Sequence, residues 1–220
     1  MYRWDFAPVL RDWDLLLRGL AGTLQLAVTS LVVSALLGLV LGAMRSSRRH
    51  WLDWPATALI ELFRNTPVLV QLMWFYFALP ILLGGKLTAF AAATLALTCN
   101  TSAFMAEIFR GGIQSIDRGQ WDAGRAIGMS YAILMRRIIL PQAIRRMLPA
   151  FTNRAIELTK STSLASTIAF ADLLYEGKLM TSISYRPLET YTVVAAIYFL
   201  LLGAGTIGVR LLERRMARAA

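Results

Sequence analysis

The stretch GLAGTLQLAVTSLVVSALLGLVLGAM (residues 19–44) runs for 26 residues without a charged side chain. A helix needs about 20 residues to cross the hydrocarbon core of a bilayer, so this run predicts a membrane-spanning helix. Three further charge-free runs have similar lengths, at 65–85, 87–106 and 190–209. Backbone polar groups in lipid must be satisfied within the protein, and the alternation of barrel strands is absent, so all four runs are predicted to be helices.

The composition agrees with a membrane protein. Only 16% of the residues are charged and the mean hydropathy is +0.55, whereas soluble domains carry about 25% charged residues. The first run is not typical of a cleavable signal peptide, because it is too long, follows three aspartates and lacks a small-residue cleavage site. Residues 1–18 are predicted to be a periplasmic segment. Its aromatic residues favour either a stretch on the membrane surface or a solvated tail.

The distribution of the basic residues predicts the orientation. Fourteen of the 23 Lys and Arg residues follow the first and third runs or close the chain: Arg45, Arg48, Arg49, Arg110, Arg118, Arg125, Arg136, Arg137, Arg145, Arg146, Arg210, Arg214, Arg215 and Arg218. Positive charge accumulates on the cytoplasmic side of membranes. We therefore expect the N-terminus outside and the C-terminus inside, and we expect the net charge of +10 to reflect topology and not a nucleic-acid partner.

Opposite sides for the two termini require an odd number of spans, so a fifth span must lie between the third run and the last. We predict five transmembrane helices at 19–44, 57–82, 87–109, 148–174 and 189–211. A cytoplasmic loop is expected at 110–147 and a cytoplasmic tail at 212–220.

The predicted fourth span contains three charges within NRAIELTKSTSLAST (residues 153–167). On a helix Arg154, Glu157 and Lys160 form one ribbon, and a charge at the centre of a span costs about 2.5–3.5 kcal/mol. We expect this ribbon to face the interior of the subunit. Arg154 and Glu157 fit either an ion-pair ladder between helices or a substrate path. Lys160 with Ser161, Thr162 and Ser163 is predicted to line the path, because a cation and three hydroxyls can bind a carboxylate.

The second span is predicted to be broken within ELFRNTPVLVQ (residues 61–71). Pro67 disfavours helical backbone at Thr66, and Asn65 or Thr66 would cap a new helical segment. Half-helix N-termini in membranes attract anionic groups. Asn65, Thr66 and Gln71 are therefore predicted to line the path. In the third span, Asn100 fits either a hydrogen bond between helices or the path, and we include it among the candidate path residues. Glu61 and Arg64 fit either that path or the membrane interface.

The cytoplasmic segment is predicted to hold two short helices. The first begins after an Asp117 N-cap and ends before Gly128, and the second begins after Ser130 and stops at Pro141. Small residues beside Trp121 suit either docking into a groove of another protein or packing on the membrane.

Few residues could perform chemistry. Cys99 is the only cysteine and His50 is the only histidine, and His50 lies in a basic loop. The chain has no phosphate-binding G-x-x-x-x-G-K-[ST] motif. We expect no catalytic site, no metal and no cofactor in this chain. An intramembrane serine protease is disfavoured because no histidine accompanies a serine within a span.

One spacing carries a resemblance to a known family. The order Asp122-Ala123-Gly124, three residues, Gly128, nine residues, Ile138, one residue, Leu140-Pro141 resembles the signature E-A-A-x3-G-x9-I-x-L-P of ABC importer permeases, with Asp for Glu and Gly for the second Ala. The stretches ELFRNTPVLVQLMWFYFALP (61–80), AEIFRGGIQSIDRGQ (106–120), LPQAIRRMLPAFTN (140–153) and KSTSLASTIAFADLL (160–174) are similar to polar amino acid permeases.

The resemblance implies a multi-pass subunit of the bacterial inner membrane with the type I ABC importer permease fold and no catalytic site. Two ATPase subunits would bind ATP, a second permease subunit would pair with this one, and a periplasmic binding protein would deliver a polar amino acid. The ATPase would dock on residues of the cytoplasmic loop, namely Trp121, Asp122, Ala123, Gly124, Gly128, Ile138, Leu140 and Pro141. RNTP (64–67), ASTIAFADLL (165–174) and GKL (177–179) look most similar to members that move glutamate or aspartate. The alternative is an ion-gradient-driven transporter or channel subunit.

Overall fold

The structure is a computed structural model that describes residues 2–47 and 49–218, with side chains described as far as Val209. Arg48 and the side chains of Arg210, Arg214, Arg215 and Arg218 lie outside the described part. The elements in chain order are α1 (Ala7–Arg11), α2 (Trp13–Arg45), α3 (His50–Asn65), α4 (Val68–Met73), a π turn (Trp74–Ala78), α5 (Leu79–Leu83), α6 (Ala89–Gln114), α7 (Arg118–Ala126), α8 (Tyr131–Leu134), a second π turn (Met135–Ile139), α9 (Leu140–Ser161), a 3-10 helix (Thr162–Ile168), α10 (Leu173–Ser184) and α11 (Pro187–Arg218). No strand occurs among these residues.

Helices α2 and α6 form the centre of the molecule. The buried positions of α2 are mostly small and recur about every four residues: Gly19, Thr23, Ala27, Ser30, Ser34, Gly38 and Gly42. A Cβ atom at Gly38 would lie 2.6 Å from the Cβ of Met105. Small residues let the backbones of membrane helices approach closely, where van der Waals contact replaces the hydrophobic drive that lipid does not supply. The first span therefore lies in direct contact with the third.

The break predicted in the second span is present. Thr66 and Pro67 are extended, with ψ of 138° and 134°. The two halves, His50–Asn65 and Val68–Leu83, are bent by 104°. The predicted cap is wrong, because Pro67 occupies the N-cap position of α4 and no side chain caps that helix.

Two prolines are accommodated by π turns. Pro80 and Pro141 each follow a π turn by two residues, and the N–H groups of Leu79 and Leu140 bond to carbonyls five residues back. A proline lacks the N–H of a normal helical turn and its ring crowds the carbonyl four residues earlier, and the wider turn relieves both problems. The prediction that Pro141 stops its helix is therefore wrong, because the helical path continues from α8 into α9.

The predicted fourth span is not one continuous helix. Helix α9 ends at Ser161, the 3-10 helix follows, and residues 169–172 are not helical. Ala169 adopts a left-handed conformation with φ 57°. Asp172 then caps α10, since its Oδ1 accepts a hydrogen bond from the Tyr175 N–H at 2.8 Å. The polypeptide turns back toward α2 here, where Gly22 lies against the carbonyl of Ala171.

By length and composition, three helices of the described chain could cross a membrane, or four if the bent pair forms one span. They are Trp13–Arg45, Ala89–Gln114 and Pro187–Val209. Helix α9 does not qualify because it carries Arg145, Arg146, Arg154, Glu157 and Lys160. The predicted five spans, the domain boundaries and the orientation stay predictions.

The N-terminal segment is tied to the turn between α10 and α11. The Tyr2 hydroxyl and the Asp5 N–H both donate to the Glu189 carboxylate, which is fully buried. The bond to Glu189 raises the pKa of Tyr2. Arg186 adds a hydrogen bond to the Arg3 carbonyl at 3.3 Å. Below this segment, Val9 packs against Leu173 and Met180 of α10.

Candidate functional site

The break in the second span leaves one backbone carbonyl without its normal partner. In a helix the carbonyl of Phe63 would accept from the N–H of residue 67, but residue 67 is proline. Two buried amides replace that donor: Gln71 Nε2 at 2.8 Å and Asn100 Nδ2 at 2.9 Å. Gln71 also donates to the carbonyl and hydroxyl of Thr66, at 3.0 and 2.7 Å. The broken backbone is thus satisfied from within the protein, as lipid requires.

Asn100 connects this break to α9. Its Oδ1 accepts a hydrogen bond from Arg154, whose guanidinium lies 3.9 Å from the centre of the Phe104 ring. Arg154 also pairs with Glu157 at 3.0 Å. The Arg154 side chain is 13% exposed and that of Glu157 is 63% exposed. A cation held by an amide, an aromatic face and a carboxylate keeps its charge at a place where water has little access.

A cavity of about 400 Å³ lies directly beside these residues. Its lining comes from three elements, the α3–α4 break, α6 and α9: Arg64, Thr66, Val68, Asn100, Phe104, Arg154, Glu157, Lys160 and Ser161. Three of these side chains are cationic and one is anionic. Lys160 is exposed and makes no ion pair within the described chain. The cavity therefore offers one unpaired ammonium group beside two guanidinium groups that already have partners.

An ion-pair network adjoins the cavity. We call it the Glu107 network; its members are Arg45, Glu61, Arg64, Glu107 and Arg110. Glu107 pairs with Arg45, with Arg110 at 2.9 Å and with Arg64 at 4.0 Å, and Glu61 lies 3.6 Å from both Arg45 and Arg64. The network joins the C-terminal ends of α2 and α3 to α6. Arg64 belongs to it and also lines the cavity.

In the segment predicted to be a cytoplasmic loop, α7 is bounded by a capping turn at each end. Asp117 Oδ1 accepts from the Gly119 N–H, which confirms the predicted N-cap. At the other end Gly128 is left-handed, with φ +76°. The N–H groups of Gly128 and Met129 bond to the carbonyls of Arg125 and Gly124, at 3.0 Å each. These two bonds form a Schellman motif, which confirms Gly128 as the residue that ends the helix.

Helix α7 lies against α8 through its smallest residue. Gly124 is buried, and a Cβ atom there would come within 2.3 Å of Leu134 Cδ1. Trp121 stacks on Tyr131 with ring centres 6.2 Å apart. Gly124 and Trp121 therefore fix the helix to the rest of the chain. Asp122, Ala123 and Ile127 remain on the exposed side.

Comparison with known proteins identifies the family. The family described as binding-protein-dependent transport system inner membrane component matches residues 34–218. The chain belongs to this family. It is 44% identical over 191 residues to the octopine transport system permease protein OccM of Rhizobium meliloti, covering 83% of this chain and 78% of that protein. It is 35% identical over 212 residues to the arginine transport system permease protein ArtQ of Bacillus subtilis, covering 96% and 97%.

Solved structures agree with this assignment. One match is the crystal structure described as an amino acid ABC transporter with histidines. The TM-score is 0.92 and the sequence identity 38%, and the match covers 97% of this chain and 100% of that one. An inward-facing MetNI methionine ABC transporter shares the fold, with a TM-score of 0.77, 22% identity and coverage of 92% and 96%. The predicted resemblance and the all-helical ABC importer permease fold are confirmed. ATP hydrolysis in such transporters is performed by a separate ATPase subunit, so the prediction of a subunit without its own catalytic site is also confirmed.

The structure separates the predicted path residues of the permease into two groups. Five of them line the cavity: Thr66, Asn100, Glu157, Lys160 and Ser161. The other four, Asn65, Gln71, Thr162 and Ser163, do not line it. Gln71 is buried against the break, and Asn65 donates to Glu61 at 2.9 Å. Thr162 and Ser163 donate to the carbonyls of Thr159 and Lys160, each at 2.8 Å.

The expectation that the charged ribbon faces the interior of the subunit is wrong, and the expected grouping of Lys160 with three hydroxyls is present only in part. Of its members only Arg154 is turned inward, because α9 packs on α6 along one side and leaves Glu157 and Lys160 exposed. Of the three hydroxyl residues expected beside Lys160, only Ser161 lines the cavity with it. The hydroxyls of residues 161–163 each donate to a carbonyl of the same helical segment.

Sequence reasoning left Arg154 and Arg64 open between the path and another role, and both line the cavity. It missed Phe104 as cavity lining and Glu107 as the centre of a network. Arg154 and Arg64 carried a usable signal, since each is an arginine within a predicted span and within a few residues of an acid. Phe104 and Glu107 gave no such signal, because their positions depend on how α6 lies between α3 and α9.

The predicted docking residues also differ in their exposure to solvent. Asp122, Ala123, Gly128 and Pro141 are exposed, Trp121, Ile138 and Leu140 are partly buried, and Gly124 is buried. Gly124, one of the predicted docking residues, lies on the side of α7 that packs against Leu134.

Proposed function

We propose that this permease forms the translocation path of an ATP-driven, binding-protein-dependent importer of a polar amino acid in the bacterial inner membrane. The observation that supports it most is the cavity at the break of the second span, where Arg64, Arg154 and Lys160 face a single carboxylate, Glu157. Every amino acid carries a carboxylate, and a cation recognises such a group by a charge-assisted hydrogen bond. Lys160 is the cation with no ionic partner in the described chain, so it binds the substrate carboxylate in this proposal.

The finer proposal is that the substrate is an acidic amino acid, such as glutamate or aspartate. Two substrate carboxylates would match the excess of cations around the cavity. The relatives are named for octopine, arginine and glutamine transport, so the proposal depends on the cavity charges and on the sequence stretches that resemble acidic amino acid permeases. Glu157 is the residue that would favour a cationic substrate instead.

The partners follow from the family. An ABC importer permease works with an ATPase subunit and a binding protein. In our proposal the ATPase docks on the exposed side of α7, and the binding protein delivers the amino acid from the periplasm. A second permease subunit, either a copy of this chain or a related one, completes the path. Movements of the ATPase reach the cavity through α8 and α9, because α7 is fixed to α8 by Gly124 and Trp121.

One experiment, with the complete transporter in proteoliposomes, tests both the importer class and the acidic substrate. ATPase activity is measured with the binding protein and glutamate, aspartate, glutamine, arginine or histidine, and uptake is measured with ion gradients present or collapsed. We expect ATP-dependent uptake that persists without gradients, with the greatest stimulation by glutamate or aspartate. Stimulation by arginine or histidine alone would overturn the acidic substrate and leave the importer intact. Uptake that needs an ion gradient and no ATP would favour the alternative transporter class.

A further inference from the structure

The N-terminal segment exposes a group of large apolar side chains that the transport proposal does not use. We call it the aromatic anchor; its members are Tyr2, Trp4, Phe6, Leu10 and Trp13, and their exposed fractions are 49%, 57%, 38%, 64% and 36%. Trp4 stacks on Phe6 with ring centres 5.7 Å apart, and Tyr2 meets Trp4 edge to face at 5.8 Å. A contiguous exposed apolar group of this kind marks a surface that binds something other than water.

The segment is held so that these rings stay outside the protein. Glu189 accepts hydrogen bonds from the Tyr2 hydroxyl and the Asp5 N–H, and Arg186 bonds the Arg3 carbonyl. On the opposite side of α1, Val9 is fully buried against α10. The aromatic anchor therefore cannot fold inward without losing these contacts.

The position of the anchor relative to the first span indicates what covers it. Helix α2 has 33 residues, which corresponds to about 50 Å, whereas the hydrocarbon core is about 30 Å thick. Its first turns therefore extend into the headgroup layer. Leu10 and Trp13 also continue a stripe of exposed apolar residues along α2, namely Leu17, Leu24, Val28, Val32, Leu36 and Leu39. The anchor is thus continuous with an exposed apolar side of a helix that is long and apolar enough to span a membrane.

The charges around the anchor indicate which property of the membrane it recognises. Residues 2–18 contain three arginines, Arg3, Arg11 and Arg18, and three aspartates, Asp5, Asp12 and Asp14. These six side-chain charges sum to zero, so electrostatic attraction to anionic lipids would contribute little to membrane binding by this segment. Tryptophan and tyrosine rings at the headgroup level bind through their amphipathic character and need no lipid charge.

We propose that the aromatic anchor lies in the headgroup layer of the bilayer, on the same side as the turn between α10 and α11, and binds lipid independently of headgroup charge. Through Glu189 and Arg186 it would connect the start of the last span to the membrane surface.

Spin labels can test this in the reconstituted transporter. In a Cys99→Ala background, single labels are placed by Trp4→Cys and Leu10→Cys, with Arg11→Cys as the matched control on the neighbouring face of α1. Vesicles contain phosphatidylcholine alone or with phosphatidylglycerol. We expect the first two labels to be more accessible to oxygen than to a water-soluble nickel complex in both kinds of vesicle, and the Arg11→Cys label to show the opposite preference.

The outcomes separate lipid from protein partners. Labels at positions 4 and 10 that prefer the nickel complex, and become protected only when the binding protein is added, would overturn the proposal and assign a protein-docking surface instead. Protection that appears only with phosphatidylglycerol would overturn the charge-independent binding. Substrate-stimulated ATPase activity of each labelled variant confirms that the transporter is folded.

Discussion

At the scale of single residues, the break in the second span explains several buried polar groups. Pro67 removes the donor for the Phe63 carbonyl, and Gln71 and Asn100 supply two amide donors in its place. The sequence shows polar residues near a proline, which is a good signal for a substrate path. It does not show that part of this polarity serves the backbone, because that assignment needs the position of α6 beside the break.

Asn100 is therefore expected to matter for stability as well as transport. Asn100→Leu leaves the Phe63 carbonyl with one donor and removes a partner of buried Arg154. A hydrogen bond to a charged group contributes about 1.5–3 kcal/mol to stability, and Asn100 accepts one from Arg154, so we expect a lower thermal unfolding temperature in detergent and reduced uptake. The matched control is Asn65→Leu, which removes an exposed amide. Equal unfolding temperatures for the two variants would contradict the structural role of Asn100.

Lys160 is expected to behave differently. It is exposed and has no ionic partner in the described chain, so Lys160→Met should leave the unfolding temperature nearly unchanged. Loss of its bond to the substrate carboxylate should raise the substrate concentration needed for half-maximal uptake by about 10-fold, which corresponds to about 1.4 kcal/mol. Lys160→Arg keeps the charge and should retain most of the affinity. Unaltered uptake by Lys160→Met would remove Lys160 from the path.

At the scale of elements, helix ends were easier to predict than helix continuity. Asp117 and Gly128 mark the ends of α7 as expected, because capping depends on a few neighbouring residues. The sequence predicts a helix end at Pro141, yet the helical path runs through it. The π turn before Pro141 depends on how the whole segment packs, including buried Ile139. No local sequence pattern predicts such a turn.

The end of α7 allows a direct test of ATPase docking. Gly128 is left-handed and no other heavy atom lies within 4 Å of a Cβ added there, so a side chain costs conformational energy but meets no clash inside the subunit. Asn and Asp tolerate this conformation similarly and have nearly the same shape. If the ATPase packs against this site, Gly128→Asp should abolish binding-protein-stimulated ATPase activity while Gly128→Asn keeps a measurable part.

Membrane insertion, measured by recovery in the membrane fraction, should be normal for both Gly128 variants. Equal loss of ATPase stimulation in both would show that the backbone conformation matters and not the charge. Normal stimulation in both would remove this loop from the docking surface.

At the scale of the whole molecule, the sequence identified the membrane class and the family, whereas the path of the fourth span could not be predicted. The charge-free runs and the signature from Asp122 to Pro141 can be read directly from the sequence. The chain between Ser161 and Leu173 instead passes through a 3-10 helix and a left-handed Ala169. Its course follows from contacts with α2, over 100 residues away in sequence.

Topology is a prediction that single cysteines can test. In a Cys99→Ala background, Tyr185→Cys lies on the exposed turn between α10 and α11, and Gln120→Cys lies on α7. An odd number of spans with the N-terminus outside requires that an impermeant maleimide label position 185 in intact spheroplasts and position 120 only after lysis. Labelling of both positions from the same side would contradict the predicted orientation.

The close contact of α2 with α6 limits how the permease can move. With Gly38 against Met105 and Gly42 against the carbonyl of Ala106, neither helix can slide or roll past the other without steric overlap. These two helices must therefore travel as one frame whenever the subunit opens to the other side of the membrane. Pivoting is left to places where the backbone is already non-helical, and two of these adjoin the segments that line the cavity: the Thr66–Pro67 bend before α4 and residues 169–172 after the 3-10 helix that follows α9.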